Sequence, residues 1–82
     1  MDPDTATHMR TRRVRLPRPL RLRRERQRRK WSQFHTGMLA GIEPSTLSQI
    51  ELGKRPVYPK WRQRLMAVFG LPAETLFAPD DE

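Results

Sequence analysis

Glycine and proline alternate through the second half of this chain: Gly41 then Pro44, Gly53 then Pro56 and Pro59, Gly70 then Pro72. Each of these glycines can take the left-handed backbone angles that a side chain resists, and so ends a helix. Pro44, Pro59 and Pro72 each suit the first turn of the next helix, where the missing N–H costs nothing. Ser32 supplies an N-cap oxygen for a helix over residues 33–40, which Gly41 closes. A helix opened by Pro44 then continues over 45–52 to Gly53. Another follows Pro59 over 60–69, and a last short one runs over 73–77. Trp61, Leu65 and Val68 form one apolar stripe at helical spacing. Residues 20–30 hold helix formers without a breaker, though their apolar face is only Leu20 and Leu22. The expectation is an all-α domain of four or five short helices.

Charge divides the chain differently. The formal total is +8, yet residues 10–30 carry eleven arginines and Lys30 against Glu25 alone, a balance of +11. Residues 31–82 sum to −1 and residues 1–9 to −2. A nearly neutral domain therefore follows a basic arm over 10–19, in which Pro17 and Pro19 bar a helix. Residues 1–9 read either as an added leader, with native sequence from Met9, or as a native, unstructured start. Residues 78–82 read as a mobile acidic tail. No cysteine is present, which excludes disulfides and zinc thiolate sites. No stretch is apolar enough to span a membrane, and the basic segment lacks the apolar run of a secretory signal. Catalytic chemistry has no foothold: there is no thiol nucleophile, phosphate-cradling glycine loop, metal-ligand spacing or core large enough for a pocket. No cofactor, catalytic residue or metal site is expected.

Residues 33–52 place two helices about a glycine-centred turn. Gly37 lets the helices approach, Gly41 makes the turn, and Ala40, Ile42, Leu47 and Ile50 face inward. The outer face of the second helix is then turned toward the width of a DNA major groove. The strings Trp31-Ser32-Gln33, Gly41-Ile42 and Ser45-Thr46-Leu47-Ser48-Gln49-Ile50-Glu51-Leu52-Gly53-Lys54-Arg55-Pro56 resemble the Cro and phage-repressor (XRE) helix-turn-helix family. Pro59-Lys60-Trp61, Phe69-Gly70-Leu71 and Glu74-Thr75-Leu76-Phe77 extend the resemblance, so that the domain covers residues 20–77. It implies a lambda-repressor-like fold and sequence-specific double-stranded DNA binding by a cytoplasmic, nucleoid-associated regulator of prokaryotic or phage type.

By position, the resemblance implies base contacts from Ser45, Thr46 and Gln49, the last able to hold adenine by two hydrogen bonds. Gln33, Lys30, Lys54 and Arg55 would meet phosphates. Glu51 would pair internally with Arg26. Glu43, where the family has Ser or Thr, either caps the recognition helix or reads a cytosine amino group, with capping favoured. Glu25 stands where the family has an apolar residue, an expectation of a shifted or loosely packed first helix. Thr36 replaces a larger aliphatic, leaving Met38, Leu39 or the tryptophans to fill the volume. Trp31 and Trp61 are expected in the core, and His35 in solvent or in a cap. Leu71, Leu76 and Phe77 either complete the core or make a small interface, the core being favoured.

Arg10, Arg12, Arg13, Arg15 and Arg18 lie along the minor groove or form a solvated tail that adds affinity only. The residues leave both open. The partners expected are duplex DNA and a second copy of the chain, held weakly or assembled only on DNA, but no membrane. Two other uses of the same domain stay open: an excisionase-like architectural or recombination factor, and a protein- or RNA-binding adaptor.

Overall fold

Gly41 and Gly70 take left-handed backbone angles, with φ of 70° and 68°, and each ends a helix as a C-cap. The computed structural model describes residues 18–80. It is all-helical: α1 (Arg21–Arg28), α2 (Gln33–Ala40), α3 (Pro44–Glu51), α4 (Pro59–Phe69) and α5 (Ala73–Leu76), with no strand among the described residues. Ser32 caps α2 as expected, its Oγ accepting the His35 N–H at 2.9 Å. Pro44 and Pro59 fill the first turns of α3 and α4. α3 starts at Pro44 as expected and stops one residue earlier than its sequence suggests, because Leu52 already serves as the C-cap. Pro72 is the N-cap of α5 and Phe77 its C-cap, so that helix ends at Leu76.

The core is the meeting point of all five helices: Leu22, Ala40, Ile42, Leu47, Ile50, Leu65, Phe69 and Leu76 are buried. Burial of each large aliphatic or aromatic side chain contributes roughly 1.5–3 kcal/mol. Gly37 is essential to the close seating of α2 against the following turn, because a Cβ there would land on the Ile42 carbonyl oxygen. Trp31 and Trp61 pack half-buried against the core, Trp31 with its ring 5.4 Å from Phe69. Leu76 is fully buried, which places it in the core rather than in an interface.

Three expectations need correction. Met38 and Leu39 do not fill the volume beside Thr36; they are 68% and 52% exposed. Thr36 is instead fully buried and satisfied by donating its hydroxyl to the Ser32 carbonyl at 2.9 Å. Glu25 does not loosen α1, because Leu22 beside it is wholly buried and the carboxylate is itself covered. Arg29 Nη1 donates to Glu25 Oε1 at 2.8 Å, with Arg28 at 3.7 Å and Arg21 at 4.0 Å. Hydrogen bonding to the charged form, with the surrounding guanidinium groups, holds this carboxyl below the ordinary value of 4.5, and burial opposes the shift only in part.

The third correction concerns the chain's end. Residues 78–80 are docked, not mobile. Asp80 N–H donates to the Pro19 carbonyl at 2.8 Å, Arg21 N–H to the Ala78 carbonyl at 2.9 Å, and Leu20 and Pro79 form an antiparallel bridge. Arg24 Nη2 lies 2.8 Å from Asp80 Oδ1. Residues 81 and 82 lie outside the described residues. α1 is shorter than residues 20–30: Leu20 stays extended and donates its N–H to the Glu51 carbonyl at 2.8 Å, and at the other end Lys30 takes a φ of 60°.

Candidate nucleic-acid interface

α3 is amphipathic. Leu47, Ile50 and Glu51 face inward and are buried, whereas Ser45 and Gln49 are exposed and Thr46 is half-exposed. Residues 45, 46 and 49 fall within about one quadrant of the helix, since positions three and four apart are neighbours on its surface. The outward face is thus polar and short-chained near its start, with a flexible amide one turn later.

The seat of this face is a buried carboxylate. Glu51 is fully buried at the end of α3. Arg26 Nε donates to its Oε2 at 2.6 Å and Arg26 Nη2 to its Oε1 at 3.1 Å, the two-pronged pairing expected between these residues. Arg26 Nη1 also donates to the Trp31 carbonyl at 2.8 Å. The Gln33 amide nitrogen reaches the same Glu51 Oε1 at 3.1 Å. One carboxylate therefore fixes α1, the turn after it, the start of α2 and the end of α3 relative to one another. Gln33 retains a second amide N–H beyond the one Glu51 accepts.

The remaining site residues divide by location. Lys54 and Arg55 are exposed in the loop after α3, and Lys30 is exposed in the turn before α2. Glu43 occupies the N-cap position of α3, but its side chain makes no capping hydrogen bond, which corrects the capping role given to that carboxylate. His35 is exposed, with its ring edge on Trp31 at 5.5 Å. Arg18 is exposed, its backbone pressed against Gly53. Arg10, Arg12, Arg13 and Arg15 lie outside the described residues. Among the arginines in and just after α1, Arg24, Arg26 and Arg29 are committed to Asp80, Glu51 and Glu25, so part of the basic segment is structural. Arg29 in addition donates to the Phe69 carbonyl at 3.2 Å and lies over the Trp31 and Phe69 rings.

Two contacts escape a reading of residue types. Arg55 Nε donates to Gln49 Oε1 at 3.3 Å, joining a residue after the Gly53 turn to the outward face of α3. Arg64, from α4, donates to the Gly41 carbonyl at 3.3 Å and sets a cation over the turn between α2 and α3. Neither spacing is periodic, so only the left-handed turns at Gly53 and Gly41 could have hinted at them. Among the described residues no group of three or more His, Cys, Asp or Glu could hold a metal ion, and no helix is long and apolar enough to cross a membrane.

No curated protein and no solved structure matches the chain. A family match does exist, to the helix-turn-helix domain, and it spans residues 20–77, from the residue before α1 to the residue after α5. Over that span lie the glycine turn, the buried inner face of α3 and its polar outer face, and the chain belongs to the helix-turn-helix domain family, a DNA-binding family.

Proposed function

We propose that this protein reads specific double-stranded DNA sequences as a transcriptional regulator of the XRE type, with α3 in the major groove. The observation that carries this reading is the polar, outward Ser45–Thr46–Gln49 face on a helix whose opposite face is locked into the core. In this arrangement Ser45, Thr46 and Gln49 meet base edges, and Glu43 accepts from a cytosine amino group where the sequence offers one. Gln33 gives its second amide N–H to a phosphate at the start of α2. Lys30, Lys54 and Arg55 flank the helix and bear on the backbone, and Arg10, Arg12, Arg13, Arg15 and Arg18 add phosphate or minor-groove contacts. Two copies on a symmetric site would stand one helical turn apart, about 34 Å, held together weakly off DNA.

Selection from random duplexes at two salt concentrations tests the proposal. A defined consensus is expected, together with a steep salt dependence that flattens when residues 10–18 are deleted, by about 0.9 for each phosphate no longer neutralised. Binding without any consensus, or tighter binding to structured RNA, would overturn it.

A further inference from the structure

α2 is inverted relative to an ordinary amphipathic helix, which buries its large apolar residues. The residues it buries are the small ones, Thr36, Gly37 and Ala40, and it packs on α3 and α4. Its large apolar residues point outward: Phe34, Met38 and Leu39 are 64%, 68% and 52% exposed. Of the four large hydrophobic side chains exposed among the described residues, three are thus on this one helix. Positions 34 and 38 are surface neighbours, as are 35 and 38, and 35 and 39. Phe34, Met38, Leu39 and the exposed His35 therefore form one continuous face. Side chains left this exposed add little to folding, and a continuous apolar patch is the mark of a contact outside the fold.

Two properties of the face select its occupant. α2 carries no Asp, Glu, Lys or Arg, so it has no fixed charge with which to choose an acidic or a basic surface. It can, however, meet its own copy with no such charges opposed, and a twofold contact between copies requires that self-complementarity. Its size sets the conditions. At about 200 Å² for a side chain of this class, the three exposed fractions give roughly 300–400 Å² per copy, about half of the ~800 Å² that each side of a stable interface buries. Free copies are not held together by so small a patch. Two copies side by side on one duplex face each other at an effective concentration on the order of millimolar, where it suffices.

We infer that the Phe34, Met38 and Leu39 face of α2 is the contact between two copies of this chain bound side by side on one duplex, and that it makes their binding cooperative; the inference rests on the duplex-binding reading above. Because the contact is apolar, salt leaves the cooperativity unchanged while weakening the phosphate contacts that set the affinity of each copy.

The test uses the purified full chain alone and duplexes carrying either one copy of the sequence that a single chain binds, or two as an inverted repeat. The spacing between the two is varied in single base-pair steps. At the best spacing the second copy should bind about tenfold more tightly than the first, by the same factor at two salt concentrations between which single-site affinity falls. The double variant Met38→Ser with Leu39→Gln should match the unaltered protein on one site yet fill two sites independently, whereas Met38→Leu should keep the factor. Independent binding by the unaltered protein at every spacing overturns the inference and leaves the duplex reading standing. So does cooperativity retained in the double variant, which places the contact elsewhere, or a factor that falls with salt as steeply as single-site affinity, the mark of a charged contact. Random-duplex selection that recovers no preferred sequence overturns the duplex reading and the inference with it.

Discussion

Replacing Glu51 with alanine tests the internal architecture of the helix-turn-helix domain. The carboxylate is fully buried, and it accepts from Arg26 Nε, Arg26 Nη2 and Gln33 Nε2. The Arg26 side chain is only 11% exposed, so its charge cannot be rehydrated without opening the structure. Removing one partner of such a pair costs about 3–5 kcal/mol. The folded part of the chain, residues 18–80, has on the order of 3–9 kcal/mol in total at typical stabilities per residue. Glu51→Ala should therefore leave the protein largely unfolded near body temperature. Urea titration followed by the fluorescence of Trp31 and Trp61, both half-buried against the core, reads this directly. A double variant, Arg26→Met with Glu51→Leu, should regain most of the loss, because it buries no unpaired charge. Should Glu51→Ala fall within about 1 kcal/mol of the unaltered protein, or the double variant unfold as readily as the single one, the carboxylate is not the fastening described above.

Glu25 makes stability depend on pH. Its carboxyl is held below the ordinary value by Arg29, so its contribution is complete above about pH 4.5 and is lost as pH falls through the lowered value. Urea midpoints measured from pH 7 to pH 3 should fall below pH 4.5, and Glu25→Gln should be less stable at pH 7 yet decline less steeply. Gly53→Ala and Gly70→Ala separate strain from collision: both residues are left-handed, but a Cβ at 53 meets the Arg18 carbonyl whereas one at 70 meets nothing within 4 Å. Thermal melts should show Gly70→Ala losing roughly 1 kcal/mol and Gly53→Ala clearly more. Met38→Ser and Leu39→Gln should each change stability by less than about 0.5 kcal/mol in the same melts, since both side chains are exposed.

The helices were legible in the sequence because their stops and starts are local: a left-handed glycine, a capping serine and a first-turn proline each act within a few residues. The inward face of α3 was legible for the same reason, as its period is that of the helix. What residue types concealed was the company each side chain keeps. Glu25 reads as a misplaced charge until Arg21, Arg28 and Arg29 are seen around it, and Thr36 as an underfilled position until its hydroxyl is seen bonded to the turn before. Arg26 and Glu51, twenty-five residues apart, were paired only through a family likeness, because nothing in spacing joins them. The Gln49–Arg55 contact depended on a turn whose exit direction no pattern encodes. Charge misled most at the ends, where an acidic terminus suggested a solvated tail and Asp80 is in fact bound to Arg24.

The clasp between residues 19–21 and 78–80 bears on the order in which the domain assembles and comes apart. Helices α2 and α3 can meet after closing only a short loop, whereas the Leu20–Pro79 bridge waits for nearly the whole chain to be drawn into a ring, and the entropic cost of closure grows with the length enclosed. The ends therefore join last and part first, as a low-energy opening separate from global unfolding. Native-state hydrogen exchange should find the amides of Arg21 and Asp80 released well before those of Leu47 and Ile50. Fraying would then begin at the Leu20–Pro79 bridge while α3 still holds its shape.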